Sequence, residues 1–142
     1  MYSTIDKFKK RLKGYYDQLY LDPETDLVDD TFAEEDLAAA SAEVDASAGM
    51  CYDVPVTAAK SLPLLENWEL TIAEELAWKR SATGKTPEGT QNRVDVVRKA
   101  LEKLAEGKIK LPGASESSGS AGGSVLTQCD TPVFTRDKMT GF

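Results

Sequence analysis

Apolar residues recur every three or four positions through most of residues 1–112, the period of helices that each hide one face. The pattern is clearest over 62–81, where Leu65, Trp68, Ile72 and Leu76 stack on one side, Leu64 and Ala73 widen the stripe, and Glu66, Glu69, Glu74 and Lys79 lie mostly off it. Ser61 suits a cap. Pro63 suits a first turn, where its missing N–H is not needed. Glu75 precedes Lys79 by four residues, a spacing that adds weak helical support. This stretch predicts a central helix with the rest of the chain packed around it. Trp78 falls off the stripe and has two readings: a cover for a neighbouring helix, or an anchor in a subunit contact, where Trp is enriched.

The flanking segments follow the same logic. Ser3 can cap a short first helix whose apolar face is Ile5, Phe8 and Leu12, with Asp6 near its start, lysines near its end and Gly14 as a stop. Tyr15, Tyr16, Leu19, Tyr20 and Leu21 read as a second short helix or an irregular apolar segment, broken at Asp22-Pro23. Asp29 or Asp30 caps an alanine-rich helix running to about Gly49, with Leu37, Ala40, Val44 and Ala48 on one face. Small side chains there let another helix come close. Met50 to Pro55 reads as extended, because a residue before proline is pushed out of the helical region. Gly84 stops the central helix, Thr86 caps the next and Pro87 begins it. That helix runs to about Glu106 with Val94, Val97, Leu101 and Leu104 inside, Arg93, Arg98, Lys99 and Lys103 outside, and Gly107 closing it. Ile109 and Leu111 fold back on the core. The class is all-α, a small bundle of about four helices.

The composition changes after Pro112. Residues 113–124, GASESSGSAGGS, have the makeup of a flexible linker. Residues 125–142 then bring back apolar and aromatic side chains, with Phe134, Met139 and Phe142 among them. The expected organisation is a helical domain over 1–112, a linker over 113–124 and a docking arm over 125–142. A disordered tail or two short strands pairing with each other are the alternatives for the arm.

Charge alters the picture further. The net of −7 conceals blocks: residues 1–20 carry five basic and two acidic side chains, residues 21–50 ten acidic and no basic, and residues 85–112 seven basic and four acidic. Such blocks are either solvated faces or surfaces that attract a neighbouring copy head to tail, since complementary potentials steer association. Glu34, Glu35 and Asp36 are the candidates for an acidic wall toward a partner or a channel. No basic patch interleaved with aromatics points to direct nucleic-acid reading.

Catalytic chemistry finds little support. The chain has no histidine, which removes the imidazole base, the His triad and the His-ligated zinc site. Cys51 and Cys129 follow no metal spacing, and free thiols in a cytosolic protein are the expectation. Gly84-Lys85-Thr86 is like the end of a phosphate-binding loop, but Lys79 stands where its first glycine belongs and a helix rather than a strand precedes it. Adjacent acids such as Glu34/Glu35 and Glu74/Glu75 point to different helix faces. No cofactor or metal is expected, and an enzyme is not. The chain holds no apolar run long enough to span a bilayer, and its first residues do not read as a secretory signal.

The ordered set of a short opening helix (MYSTIDKFKKRL), an acidic alanine-rich helix (EEDLAAASAEVDA), a Tyr52-to-Pro55 link, Pro63-Leu64-Leu65, a Leu104-to-Ile109 helix end and the ending Val133 to Phe142 resembles a family of small proteins from the structural-gene clusters of Mu-like phages and prophages. The resemblance implies a non-catalytic head-to-tail connector, or neck adaptor. Such a protein docks as a ring, often of twelve copies, under the portal protein, extends the DNA channel without sequence-specific binding, and meets the next neck or tail-terminator protein. It would occupy the bacterial host cytoplasm during assembly and the virion neck afterwards, with no membrane association. The arm would supply contact residues Phe134, Arg136, Asp137, Met139 and Phe142. The long Gly/Ser linker and the lysine-rich first helix depart from the family's usual pattern. The rival reading is an acidic helical regulator or DNA mimic that binds a DNA-binding protein.

Overall fold

The computed structural model describes residues 1–117, in the order α1 (Ile5–Leu12), α2 (Tyr15–Leu19), β1 (Leu21–Asp22), β2 (Leu27–Val28), α3 (Asp30–Ala48), α4 (Leu62–Arg80) and α5 (Glu88–Ala105). Three long helices form the body. α3 and α5 pack on α4 and on each other, while α1 and α2 lie against α4, with α1 also on α3. Asp36 near the start of α3 meets Arg80 at the end of α4, and Thr90 and Arg93 early in α5 meet Glu74 late in α4. The long helices therefore run up, down and up. No helix among the described residues is long and apolar enough to cross a membrane.

The fold is mostly helical, as the periodicity predicts, and several apolar faces sit where expected. Leu37, Ala40, Val44 and Ala48 of α3 are all buried, as are Val94, Val97, Leu101 and Leu104 of α5 and Phe8 and Leu12 of α1. The alanines of α3 let it approach α4 closely, so the core there is made by backbone proximity as much as by large side chains. The tyrosine segment is a second short helix that buries Tyr16, with Tyr20 buried at its C-cap. Their rings lie 4.8 Å apart and both pack edge-on against Phe8. Leu111 folds back on the core as expected and Ile109 packs against it half-buried.

The central helix differs from its pattern. Beyond Leu65, Trp68, Ile72 and Ala73, α4 also buries Leu70, Thr71, Ala77 and three carboxylates, Glu69, Glu74 and Glu75, whereas Leu64 is exposed. It is enclosed on several sides, so a one-faced stripe describes it poorly. Helix ends also shift. Thr4, not Ser3, accepts the bond from the Lys7 N–H. Lys13, not Gly14, takes the left-handed φ of 53° at the end of α1. Ser61 gives no side-chain cap to α4, and its hydroxyl donates to the Pro112 carbonyl at 2.9 Å instead. Pro87 itself, not Thr86, holds the position before α5. Asp29 does cap α3, through the Thr31 N–H.

One two-stranded sheet was not foreseen. β1 and β2 pair antiparallel, Leu21 with Val28 and Asp22 with Leu27. The Asp22 carboxylate closes the turn by accepting from the Glu24 N–H at 2.9 Å and the Thr25 hydroxyl at 2.8 Å, the side-chain-to-backbone turn that Asp favours. Residues 113–117, assigned by composition to the linker, continue in order along the 51–53 segment: the Asp53 N–H bonds the Ser115 carbonyl and the Ser117 N–H bonds the Cys51 carbonyl.

Glu69 ties the start of the chain to this body. It is fully buried and accepts from the Tyr2 N–H at 2.6 Å, the Ser3 N–H at 3.1 Å and the Ser3 hydroxyl at 2.8 Å. Glu69→Ala orphans two backbone donors and should cost about 3 kcal/mol. The exposed Glu102→Ala should stay within about 0.5 kcal/mol of wild type. Urea unfolding of both variants checks this, and equal midpoints would refute the anchoring role.

Candidate interaction surfaces

The acidic start of α3 is not an open wall. Asp36 is buried, accepting from the Tyr20 hydroxyl at 2.7 Å and from Arg80 Nε at 2.9 Å. Glu35 accepts from Arg80 Nη2 at 3.0 Å, and Glu34 alone of the three is exposed without an ion-pair partner among the described residues. Helical phase explains the split: Asp36 lies three positions after buried Ala33 and four before buried Ala40, on the inward side. The Ala33/Asp36/Ala40 spacing in the sequence carries this signal. Burial, then the bond to Asp36, raises the Tyr20 phenol well above its usual range. Burial alone would lower the Arg80 guanidinium, but the bonds to Asp36 and Glu35 outweigh it and raise it.

Five side chains of the basic blocks pair inside the chain with acids of α3 and α4, and only Lys9–Asp30 and Arg98–Glu43 among these pairs reach the acidic block of residues 21–50. Lys7 pairs with Glu66, Lys9 with Asp30, Arg98 with both Glu43 and Glu75, and Arg11 and Arg93 share Glu74. Arg93 and Arg98, expected to face outward, turn back to α4. Glu74 and Glu75 are both buried and have separate partners: Thr90, Arg93 and Arg11 for Glu74, Lys79 and Arg98 for Glu75. Tyr2 repeats the scheme at the N-terminus: its hydroxyl donates to Asp45 and accepts from the Val56 N–H at 3.1 Å, and burial with the Asp45 bond raises its pKa to about 12.

Two surfaces among the described residues combine exposed apolar side chains with charged ones. At the α3 start, Leu21, Leu27, Val28 and Phe32 are exposed, Leu27 at 68%, and the Arg80 guanidinium lies 5.1 Å from the centre of the Phe32 ring. Half-buried Trp78 packs its ring 5.3 Å from Tyr15 of α2, which is the helix-covering reading of that residue. The second surface is a groove of about 410 Å³ over α4, between α1 and α5, with Trp68 and Val97 inside it and Arg11, Asn67, Asn92, Arg93 and Val96 around it.

No group of His, Cys, Asp or Glu able to hold a metal exists among the described residues. Gly84 to Thr86 lie in the loop between α4 and α5. Cys51 is buried, and the free-thiol expectation is corrected there: it is disulfide-bonded, with its sulfur 3.7 Å from the Leu104 and Ala105 carbonyl oxygens. The expected arm contacts Phe134, Arg136, Asp137, Met139 and Phe142 lie outside the described residues, as does Cys129.

These ion pairs set a pH dependence. Burial pushes the Glu75 carboxyl up, but bonds from Lys79 and Arg98 outweigh it and hold it below its usual 4.5. A carboxyl depressed on folding stabilises fully above its unfolded-chain pKa, and that contribution is lost as pH falls through the folded value. Glu75→Gln should therefore be less stable than wild type near neutrality by about 2 kcal/mol. The gap should persist down to about pH 4.5 and close below it. Thermal melts of both proteins across pH 3–7 check the sign; a gap that widens in acid would contradict it.

None of the curated proteins compared matches the chain. The family model described as Bacteriophage Mu, Gp36 matches residues 2–127 and so covers all five helices, the hairpin and the groove, stopping short of the Val133-to-Phe142 ending. The match spans most of the sequence, and the chain belongs to the Bacteriophage Mu, Gp36 family, a family of Mu-like phage proteins.

Proposed function

We propose that this protein is a structural component of phage morphogenesis, and more narrowly a head-to-tail connector: a non-catalytic neck adaptor that assembles as a ring under the portal protein and meets the next neck or tail-terminator protein. The observation that carries this reading is the family match over residues 2–127. A helical body with apolar side chains exposed on separate faces suits a subunit that must bind neighbours on more than one side. DNA passes such a ring without base-specific contact, and the protein works first in the bacterial host cytoplasm and then in the virion neck. The rival reading as an acidic DNA mimic loses ground. A mimic needs its carboxylates free for a partner, whereas four of the ten acids in residues 21–50, Asp30, Glu35, Asp36 and Glu43, are paired with Lys9, Arg80 and Arg98 of the same chain.

A stop codon at Trp68 in the resident inducible prophage should give separate heads and tails after induction, with heads empty or leaking DNA. Removing residues 125–142 should leave the helical spectrum unchanged but keep the protein out of heads. Electron microscopy of the lysates and immunoblots of purified heads read both. Normally joined particles from the stop-codon phage would overturn the connector role, and normal incorporation of the truncated chain would overturn the arm.

A further inference from the structure

We infer that copies of this chain associate head to tail, with the β1–β2 hairpin of one copy seated in the α1/α4/α5 groove of the next. The inference rests on the ring proposed above and names the two faces that meet.

The hairpin is an acidic knob with an apolar skin. Leu21, Leu27 and Val28 are exposed on its two short strands. Asp22, Glu24 and Asp26 stand in and beside its turn with no ion pair among the described residues, and no lysine or arginine occurs anywhere between residues 14 and 59. Exposed leucine and valine favour removal from water. The carboxylates around them repel nucleic acid and anionic lipid and leave a cationic apolar surface as the fitting occupant.

The chain carries such a surface. The groove has Trp68 inside, Val96 at its wall with 67% exposure, and arginines on both sides. Arg11 and Arg93 share one carboxylate, Glu74, so the site keeps a net positive charge. Arg11 is spent on Glu74, Asn67 and Thr71, but among the described residues Arg93 bonds only through Nη2, to Glu74 and Thr90, leaving Nε and Nη1 for a carboxylate from outside. Asn92, exposed at the rim, adds an amide that can meet the backbone of a hairpin turn. No hairpin residue lines the groove of its own chain. Two different faces of one subunit that fit each other make a heterologous contact, which closes into a ring or continues as a filament.

The test is a concentration series of ¹⁵N–¹H spectra of the whole chain, up to about 1 mM, where even a dissociation constant of that size populates the contact. Signals of Leu27 and Val28 should move together with those of Asn92, Val96 and the Trp68 indole, and added salt should reverse the movement. A hairpin variant (Glu24→Lys with Asp26→Lys) and a groove variant (Val96→Glu) should each be silent alone while keeping dispersed, folded spectra. Mixing them should restore the shifts, because opposite charges then meet. Absence of movement at either face in wild type, or movement at one face only, overturns the proposal. The stop-codon particles decide the neck role separately: separated heads and tails without this contact would leave the connector standing and remove only this interface.

Discussion

The fold depends on giving partners to carboxylates that its central helix buries. Three glutamates of α4 lie inside the protein, and an unpaired charge in such a place costs several kcal/mol. Each is met from a different part of the chain. Glu69 holds the N-terminal segment, Glu74 collects Arg11 from α1 and Thr90 and Arg93 from α5, and Glu75 binds Lys79 and Arg98. With Asp36 held by Arg80 and Tyr20, these sites fasten every helix of the bundle to α4 or α3. Buried pairs of this kind add little net stability over an apolar core. What they contribute here is register: α1 and α5 each reach α4 at set positions.

That constraint also explains the surface. Lys7, Lys9 and Arg11 of α1 and Arg93 and Arg98 of α5 are engaged with acids of α3 and α4, so part of the charge asymmetry along the sequence is cancelled in space. What survives is local. The hairpin acids Asp22, Glu24 and Asp26 form no ion pair among the described residues, and the groove keeps positive charge because two arginines share one glutamate. The same two places expose apolar side chains.

By itself, the sequence determined the helices and their core faces. Periods of three and four marked Phe8 and Leu12, Leu37 to Ala48, and Val94 to Leu104, because a helix that buries one side must repeat its apolar residues at that spacing. Asp29 as a cap and Gly107 as a stop were legible for the same local reason, whereas α4 ends at Arg80 with Ser81 as its C-cap, ahead of Gly84. The hairpin was not legible, since two residues per strand are too few to show alternation. Nor were the other caps, where several neighbouring residues could serve equally well. Only tertiary structure decided the fate of the charges. Whether Glu69, Glu74, Glu75 or Asp36 faced water or a partner depended on arginines, hydroxyls and backbone amides up to sixty-seven residues away, and no local pattern encodes that distance.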